Sequence, residues 1–353
     1  MAKVIATISL KGGVGKTTVT GGLAEFMSAE FGQRVLLIDL DSQINLTTMM
    51  ISEARWFELN TNGRTLATLF SDAVNGTEYF RLDEAIERGV SPVKRVTTVD
   101  LLASSLDLIE VQEELSALRV QGGVADGGTG FLRQAIAPVI DFYDYVLIDC
   151  PPNIGPVTLN GLAAADAYII PTIPDVLSTY GIPQIQNRVR KFSEEIGRTI
   201  VELGVVITKY KANSAVHRST TKRLRRDPTI QNVLPSYINE ANSVAAAAEF
   251  AGYGTLKTKY GTQGQFDQFR ALTVDVMTEA QGRSNEFRRC TPPHGVLRHR
   301  RSPRPARQQE SASSPVDRRA DAGDHRRGGP IVSVRRCVDR RDRRFAAGRR
   351  HRF

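Results

Sequence analysis

The chain has 353 residues, 41% of them hydrophobic and 24% charged, with a formal net charge of +9 and three cysteines. That length suits one large domain or two ordinary ones. Three cysteines are too few for a disulfide framework, residues 1–10 lack a secretory pattern, and no apolar run reaches the ~18 residues of a membrane span. We therefore expect a cytoplasmic protein.

The positive charge is concentrated in one part of the chain. Residues 282–353 contain 21 arginines, no lysine and 7 acidic residues, whereas residues 1–281 contain 26 basic and 31 acidic residues. This change predicts a boundary near Gln281 between a folded domain, 1–281, and a disordered tail, 282–353, whose apolar residues have no helical or strand period. The tail either binds nucleic acid or another acidic surface, or results from out-of-frame translation of GC-rich DNA. Its many arginines without a single lysine favour the second explanation.

The first predicted elements flank a glycine-rich turn. Apolar residues within 1–10 predict a buried strand, and those within 17–30 recur at helical spacing, which predicts a helix that begins near Lys16. Between them runs Lys-Gly-Gly-Val-Gly-Lys-Thr-Thr, residues 11–18. Glycines let backbone N–H groups approach phosphate oxygens, and the helix N-terminus adds a positive dipole end. Lys16 can then reach the β- and γ-phosphates and the Thr17 hydroxyl can ligate Mg²⁺, so the turn predicts a nucleotide site.

The rest of the domain alternates strands with helices. In chain order the sequence predicts a strand over 34–39, an irregular region containing Trp56 and 65–73, a strand over 99–103, a helix over 106–118, a glycine-rich loop over 122–130, a helix over 131–140, a strand over 145–149, a helix over 158–164, strands over 167–171, 203–208 and 232–237 with helices between them, and a helix over 263–280. This alternation predicts an α/β fold, in which a mostly parallel sheet carries helices on both faces. Ligands of such sheets bind at the carboxyl ends of the strands.

Acidic residues stand at two of those strand ends. Asp149 ends the strand 145–149 as a Walker B carboxylate does, which predicts a Mg²⁺ ligand, although a plain strand-end cap is the alternative. Asp39 and Asp41 end the strand 34–39 and should point to the same side, because strand side chains alternate. We therefore predict that Asp39 and Asp149 join Thr17 at the metal.

The turn departs from the standard phosphate-binding motif, because Leu10 stands where that motif has its first glycine and Lys11 is an added lysine. In this the chain resembles the deviant Walker A ATPases, which include ParA, MinD and the nitrogenase iron protein. The resemblance covers about residues 1–280 and implies a P-loop NTPase-like fold and a nucleotide-sandwich dimer in which Lys11 reaches the partner's ATP. The residues that it assigns to nucleotide binding are Lys11, Gly12, Gly13, Val14, Gly15, Lys16, Thr17, Thr18 and Asn45.

The segment after the strand 34–39 resembles the Walker A′ motif of the same family, Asp-x-Asp-Pro-Gln-Gly-Asn. That resemblance implies that Asp41 positions the attacking water, which makes Lys11, Lys16 and Asp41 the predicted catalytic set. Ser42 and Ile44 replace the usual proline and glycine, which leaves the path of this loop open. In the family the adenine lies near the last strands, here residues 208–209 and 235–240.

The densest basic cluster of the domain follows a helix-like stretch that starts at Ser214. It consists of Lys222, Arg223, Arg225 and Arg226. Such a cluster can bind the DNA backbone without sequence preference, and a dimer would double its charge. The same residues also suit a solvated helix face, but the resemblance to ParA favours DNA.

Together these features predict a Mg²⁺- and ATP-dependent dimerising ATPase that binds DNA non-specifically, associates with the nucleoid, and partitions DNA with a ParB-like partner that stimulates slow hydrolysis. A MinD-like membrane-cycling regulator is the alternative. The helix 263–280 carries one arginine against three acidic residues, so we expect no stable membrane association. A bridging iron–sulfur cluster would need two cysteines per chain, and residues 1–281 contain only Cys150.

Overall fold

The structure is a computed structural model that describes residues 2–120, 128–283 and 286, and the structural findings concern that part of the chain. The predicted tail 282–353 lies outside the described residues except for Gly282, Arg283 and Glu286, and the predicted loop 122–130 is described only from Gly128 onward. The boundary near Gln281 and the disorder of the tail therefore stay predictions.

Eight strands and fourteen α-helices are present in the described ranges. The strands are Lys3–Thr7 (β1), Val35–Asp39 (β2), Ile86–Glu87 (β3), Val99–Leu102 (β4), Tyr145–Asp149 (β5), Ala167–Thr172 (β6), Val201–Tyr210 (β7) and Val233–Asn239 (β8). The helices are Lys16–Phe31 (α1), Asn45–Met50 (α2), Glu53–Thr61 (α3), Leu66–Asn75 (α4), Leu82–Ala85 (α5), Leu108–Val120 (α6), Phe131–Ile136 (α7), Pro156–Ala164 (α8), Val176–Thr179 (α9), Gly181–Glu195 (α10), Ala215–Leu224 (α11), Asn242–Ala246 (α12), Leu256–Tyr260 (α13) and Gln265–Gly282 (α14).

All eight strands belong to one sheet with the order β3-β4-β2-β5-β1-β6-β7-β8. Neighbouring strands are parallel except β3, which is antiparallel to β4. Asp149 of β5 is level with Thr7 of β1 on one side and with Asp39 of β2 on the other. The carboxyl ends of three central strands therefore meet in one row, beside the turn that follows β1. The predicted α/β fold with a mostly parallel sheet is confirmed.

Hydrophobic cores lie on both faces of the sheet. Every residue of β5 is buried, as expected for a parallel strand that is covered on both sides. Alternate residues of β2 enter different cores: Leu36 and Ile38 pack on one face, and Leu37 packs on the other. Each continuous apolar run in the sequence therefore supplies both cores, because its alternate residues face opposite sides of the sheet.

The first and last of the described helices, α1 and α14, are in close contact. A Cβ atom added to Gly22 of α1 would lie 2.4 Å from the ring of Phe269 in α14, so glycine is what lets these helices approach. Phe269 stacks on Phe26 with 5.7 Å between ring centroids, and it lies 4.5 Å from the ring centroid of Tyr260. The helix that follows the glycine-rich turn thus depends on the last helix for its packing.

A buried ion pair joins α1 to α13. The side chains of Glu25 and Lys259 are both fully buried, and Lys259 Nζ lies 2.8 Å from Glu25 Oε1. The Ser91 hydroxyl also donates to Oε1, at 2.6 Å, and the Tyr260 hydroxyl donates to Oε2, at 2.7 Å. Burial lowers the pKa of Lys259, while the charge of Glu25 opposes that shift. Both oxygens of this buried carboxylate therefore have donors.

The prediction of an irregular region around Trp56 and 65–73 was wrong, because these residues form α3 and α4. The Ser52 hydroxyl accepts a hydrogen bond from a backbone N–H of α3 and so caps it, and α4 buries a face that includes Phe70. The helix predicted over 131–140 ends at Ile136 and is followed by a 3₁₀ turn. The two-residue strand β3 was not predicted.

Candidate nucleotide site

The glycine-rich turn is the connection between β1 and α1. Gly13 and Gly15 have φ angles of 74° and 87°, in the left-handed region that favours glycine. Gly15 is the cap of α1, and Lys16 is the first residue of that helix. A Cβ atom on Gly12 or Gly13 would meet no atom within 4 Å. The turn therefore presents its backbone to open space, with a helix N-terminus behind it, as a phosphate site requires.

That open space belongs to a cavity of 490 Å³ at the carboxyl ends of the strands. The predicted site residues that line it are Gly12, Gly13, Gly15, Lys16, Thr17, Thr18, Asp41 and Asn45. Residues 208–209 and 238–242 line another part of the wall, within or next to the ranges where the resemblance places the adenine. The Thr208 hydroxyl donates to the carbonyl of the buried Val14 at 2.7 Å and so ties β7 to the turn. The volume suits a small ligand such as a nucleotide.

A larger cavity of 830 Å³ lies along α10 at the amino ends of β6 and β7. None of the predicted site residues lines it. Its buried carboxylate, Glu202, accepts hydrogen bonds from the Tyr168 hydroxyl at 2.9 Å and from the Gln186 amide at 3.0 Å. The smaller cavity is therefore the candidate site, because the glycine-rich turn and Asp41 both line it.

Thr17 and Asp149 meet beside the turn. The Thr17 hydroxyl donates to Asp149 Oδ2 at 2.7 Å, and Asp149 Oδ1 is buried with no hydrogen-bond partner among the described residues. Burial raises the pKa of Asp149 to about 7, although the hydrogen bond from Thr17 and the charge of Lys16 oppose the rise. A carboxylate oxygen that lacks a donor, next to a hydroxyl, is a fitting ligand pair for a hard cation. The residues therefore fit the predicted Mg²⁺.

Asp39 lies in the same row as Asp149, but its carboxylate contacts the loop that follows β2. Its Oδ2 accepts from the N–H of Thr47 at 2.9 Å and from the Thr47 hydroxyl at 2.7 Å, and its Oδ1 accepts from the N–H of Asp41 at 3.1 Å. Burial and then the charge of Asp149 raise the pKa of Asp39 to about 8. These contacts fix the loop that carries Asp41, and the role of Asp39 as a metal ligand stays a prediction.

The loop after β2 takes a left-handed turn at Ile44. Its φ angle is 55°, and Ile44 is the cap of α2. A β-branched residue is strained in this conformation, whereas glycine is not, which explains why the Walker A′ motif has glycine there. Asp41, only 6% exposed, lines the cavity, and its Oδ1 accepts from the N–H of Gln43 at 3.1 Å. Asn45 lies exposed on the cavity wall, and its amide donates to Gln43 Oε1 at 3.3 Å.

Lys11 does not line the cavity of its own chain. Its Nζ donates to the Ser178 hydroxyl at 2.9 Å and to Asp175 Oδ2 at 3.3 Å, beside α9. The structure thus brings Lys16, Thr17, Asp41 and Asp149 together and places Lys11 elsewhere. No sequence signal marks Asp175 or Ser178 as partners of a residue more than 160 positions earlier.

The four residues of the basic cluster are exposed at the end of α11 and beyond it. Arg225 donates to the carbonyl of Pro235 at 2.9 Å, and the Arg223 guanidinium lies 3.5 Å from the Thr179 hydroxyl. The cluster does not line the nucleotide cavity, so any role in DNA binding is separate from the phosphate site.

Sequence reasoning also missed part of the cavity wall. Thr48 of α2 and the residues Asn242, Val244 and Ala245 of the short helix α12 line the cavity. These positions carry no motif, and only the fold brings α12 to the end of β8.

Comparison with known proteins agrees with this geometry. Residues 2–201 match a family whose description is "AAA domain". The chromosome-partitioning ATPase Soj of Thermus thermophilus is 27% identical over 281 residues, which cover 78% of this chain and 96% of that protein. The sporulation initiation inhibitor protein Soj of Bacillus subtilis is 29% identical over 238 residues, with coverages of 67% and 85%.

The chain belongs to the ParA/Soj family of P-loop ATPases. A Mycobacterium tuberculosis relative is 34% identical to this ParA/Soj-family protein over 227 residues. The match covers 63% of each chain, so the protein spans less than two thirds of that relative's length.

Solved structures share the fold of this ParA/Soj-family protein. Cobyrinic acid a,c-diamide synthase from Mycobacterium smegmatis, with bound ADP and magnesium, has a TM-score of 0.61, 23% identity, and coverages of 80% of this chain and 96% of that chain. A plasmid partition protein from Borrelia burgdorferi has a TM-score of 0.57, 20% identity, and coverages of 79% and 99%. At these identities the likeness shows the fold alone, and one fold carries different activities.

Among the helices that the structure describes, none combines the length and the apolar character needed to cross a membrane.

Proposed function

We propose that this ParA/Soj-family protein is a Mg²⁺-dependent ATPase that dimerises on binding ATP, binds DNA non-specifically as a dimer, and drives DNA partition with a ParB-like partner that stimulates hydrolysis. The observation that carries the proposal is that Lys16, Thr17 and Asp41 line one cavity beside an open glycine-rich turn, with the buried Asp149 hydrogen-bonded to Thr17 behind its wall. The name of the Thermus relative, chromosome-partitioning ATPase, supports the cellular role.

The residues of the site suit phosphoryl transfer to water, which depends on positioning and on charge neutralisation. The backbone N–H groups of residues 12–15 and the Lys16 ammonium can hold the negative phosphate oxygens. Asp41 is held by its loop on the cavity wall, where its carboxylate can accept a hydrogen bond from the attacking water. Mg²⁺ held by Thr17 and Asp149 would neutralise charge on the phosphates.

Dimerisation is supported by the position of Lys11. This lysine is at the start of the phosphate-binding turn but contacts α9 and does not line its own cavity. A lysine so placed can serve the nucleotide of a second chain, which would supply a cation that stabilises the transition state from outside the site.

The enzymatic part is tested with Asp41→Ala. We expect this variant to bind Mg-ATP and to form dimers in sedimentation velocity runs, while its hydrolysis rate falls about 100-fold, because the water loses its positioning group. Lys16→Ala is the control that should lose ATP binding. An Asp41→Ala protein that stays monomeric in saturating Mg-ATP would contradict the proposed ATP dimer.

The DNA-binding part is tested by replacing Arg223, Arg225 and Arg226 with alanine. We expect DNA retention in Mg-ATP to fall by at least about tenfold, since several phosphate contacts are lost, with unchanged ATP binding. The matched control replaces Arg188, Arg190 and Lys191, three exposed cations of α10, and should retain DNA. Equal losses in both variants would show that net charge, and not this cluster, determines binding.

A membrane-cycling regulator of the MinD kind is the alternative function. It would need an amphipathic helix free to lie on lipid, whereas α14 buries Phe269, Leu272 and Val276 in the core. Co-sedimentation of the full chain with anionic vesicles, run beside DNA retention in Mg-ATP, separates the two. Retention on vesicles and not on DNA would favour the alternative.

A further inference from the structure

We propose that Asp175 and Ser178 form a latch that holds Lys11 in the nucleotide-free chain and releases it when the ATP dimer forms. The inference rests on the proposed function, in which Lys11 acts on the triphosphate of a second chain. It assigns to Asp175 the role of a positioning residue, because this residue acts through Lys11 and does not line the nucleotide cavity.

The latch consists of three polar groups in mutual contact. Lys11 Nζ donates to the Ser178 hydroxyl at 2.9 Å and to Asp175 Oδ2 at 3.3 Å, and the Ser178 hydroxyl donates to the same Oδ2 at 3.0 Å. The other oxygen, Oδ1, accepts the Ser178 N–H at 2.6 Å and caps α9. The contact therefore anchors Lys11 to a fixed backbone feature and not to a freely rotating side chain.

These contacts place the Lys11 side chain outside the candidate nucleotide cavity. Lys11 lines a separate cavity of 230 Å³ with Leu177, Ser178 and Tyr180, whereas the phosphate-binding residues line the cavity of 490 Å³. An ammonium in an ion pair with Asp175 has its charge compensated. Its electrostatic attraction for a phosphate is therefore reduced until that pair is broken.

The exposure of the pair suits a contact that opens reversibly. The side chains of Lys11 and Asp175 are 43% and 33% exposed, whereas those of Glu25 and Lys259 are fully buried. A partly exposed ion pair contributes little to stability because water competes for both charges. The attraction of a triphosphate, which carries several negative charges, can therefore outweigh a single carboxylate.

The apolar surface beside the latch points to the second chain as the competitor. Val176, Leu177 and Tyr180 are 46%, 74% and 67% exposed, next to the residues that hold Lys11. A second copy of this chain that receives Lys11 must approach α9, and it would then cover these side chains. Release of the lysine and burial of apolar area would occur in the same encounter, and the burial favours association.

A zero-length cross-link tests the latch directly. A carbodiimide activates the Asp175 carboxyl, and attack by Lys11 Nζ forms an amide while the carbodiimide leaves as the urea. Peptide mapping of the full-length Asp41→Ala chain should show the link between residues 11 and 175 without nucleotide, and at least about tenfold less of it in saturating Mg-ATP. The same samples are analysed by sedimentation velocity.

The outcomes separate the latch from the proposed function. A dimer with an undiminished link, or a nucleotide-free chain without the link, overturns the latch while the proposed function stands. Samples that stay monomeric in Mg-ATP overturn the proposed function, and the latch fails with it.

Asp175→Asn gives a second measurement. Asparagine caps a helix as well as aspartate does, so α9 keeps its cap while Lys11 loses its ion pair. We expect the dissociation constant of the ATP dimer to fall about 2- to 25-fold, since an exposed pair contributes about 1.4- to 5-fold per chain and formation of the dimer breaks two such pairs. Glu194→Gln, which removes an exposed carboxylate that pairs with Arg190, is the matched control and should leave the dimer unchanged. An unchanged or weaker dimer in Asp175→Asn, with thermal melting like that of the wild type, overturns the latch.

Discussion

Two buried carboxylates are associated with the helix α1, Glu25 as one of its residues and Asp149 through Thr17, and they differ in how completely their oxygens are hydrogen-bonded. Glu25 accepts from Lys259, Ser91 and Tyr260, so both of its oxygens have donors. Asp149 accepts from Thr17 on one oxygen, and the other is buried with no partner in the described part of the chain. Buried polar atoms are rarely left without a partner, so this difference supports the proposal that Asp149, and not Glu25, contacts a ligand.

The charged neighbours of Glu25 and Asp149 also differ. Glu25 pairs with a fully buried cation, whereas Asp149 lies in one row with a second acid, Asp39, and has the charge of Lys16 near it. Burial, and after it the charge of Asp149, raises the pKa of Asp39 to about 8. The comparison supports the proposal that Glu25 serves the fold and that Asp149 serves the chemistry of the site.

Substitution of Glu25, whose two oxygens both have donors, should have the largest effect on the free energy of unfolding. Glu25→Gln leaves the Lys259 charge buried without its counter-ion, and such losses cost about 3–5 kcal/mol. Urea unfolding of the full chain measures the cost, and ATP affinity of the folded protein should not change. The double variant with Lys259→Met should recover most of the loss, and a single variant as stable as wild type would contradict this assignment.

Substitution of Asp149, one of whose oxygens lacks a donor, should affect activity and leave the free energy of unfolding almost unchanged. Asp149→Asn keeps the size of the side chain and removes a buried charge that lies in one row with a second acid, so the free energy of unfolding should change far less than in Glu25→Gln. ATP hydrolysis in Mg²⁺ should fall about 100-fold, because the variant loses a ligand for the cation. Hydrolysis near the wild-type rate would exclude Asp149 from the metal site.

The smallest of the three effects is expected for a substitution of Ile44, in the loop whose backbone donates to Asp39. Ile44→Gly removes the strain of a left-handed isoleucine but adds flexibility to the unfolded chain, so the net gain in stability should be at most about 1 kcal/mol. Thermal melting measures it, with Ile44→Val as a control that should give no gain. A clear loss of stability in the glycine variant would show that packing of the isoleucine outweighs its strain.

The elements that carry the site follow closely from local sequence patterns. The strands β1, β2 and β5 are uninterrupted apolar runs, and the glycine-rich turn between β1 and α1 has a composition that few other structures need. Their positions were predicted because each signal lies within about ten consecutive residues. The helices α3 and α4 were missed, although Leu66 and Phe70 of α4 have helical spacing and pack in the core.

Contacts between distant parts of the chain could not be predicted in this way. Glu25 and Lys259 are 234 positions apart, and Lys11 and Asp175 are 164 apart, so no local period relates either pair. Nor does a sequence pattern show which oxygen of Asp149 lacks a donor. That property depends on the register of three strands and on the rotamer of Thr17.

The contact between Gly22 and Phe269 has a consequence for the synthesis of the protein. The glycine-rich turn is translated early, but the helix behind it packs against a helix that ends at Gly282. Until those late residues leave the ribosome, α1 lacks its contact with Phe269, and the candidate nucleotide cavity lacks the part of its wall that Phe269 forms. Competence to bind nucleotide should therefore appear abruptly near the end of translation of this domain, and not when the motif itself emerges.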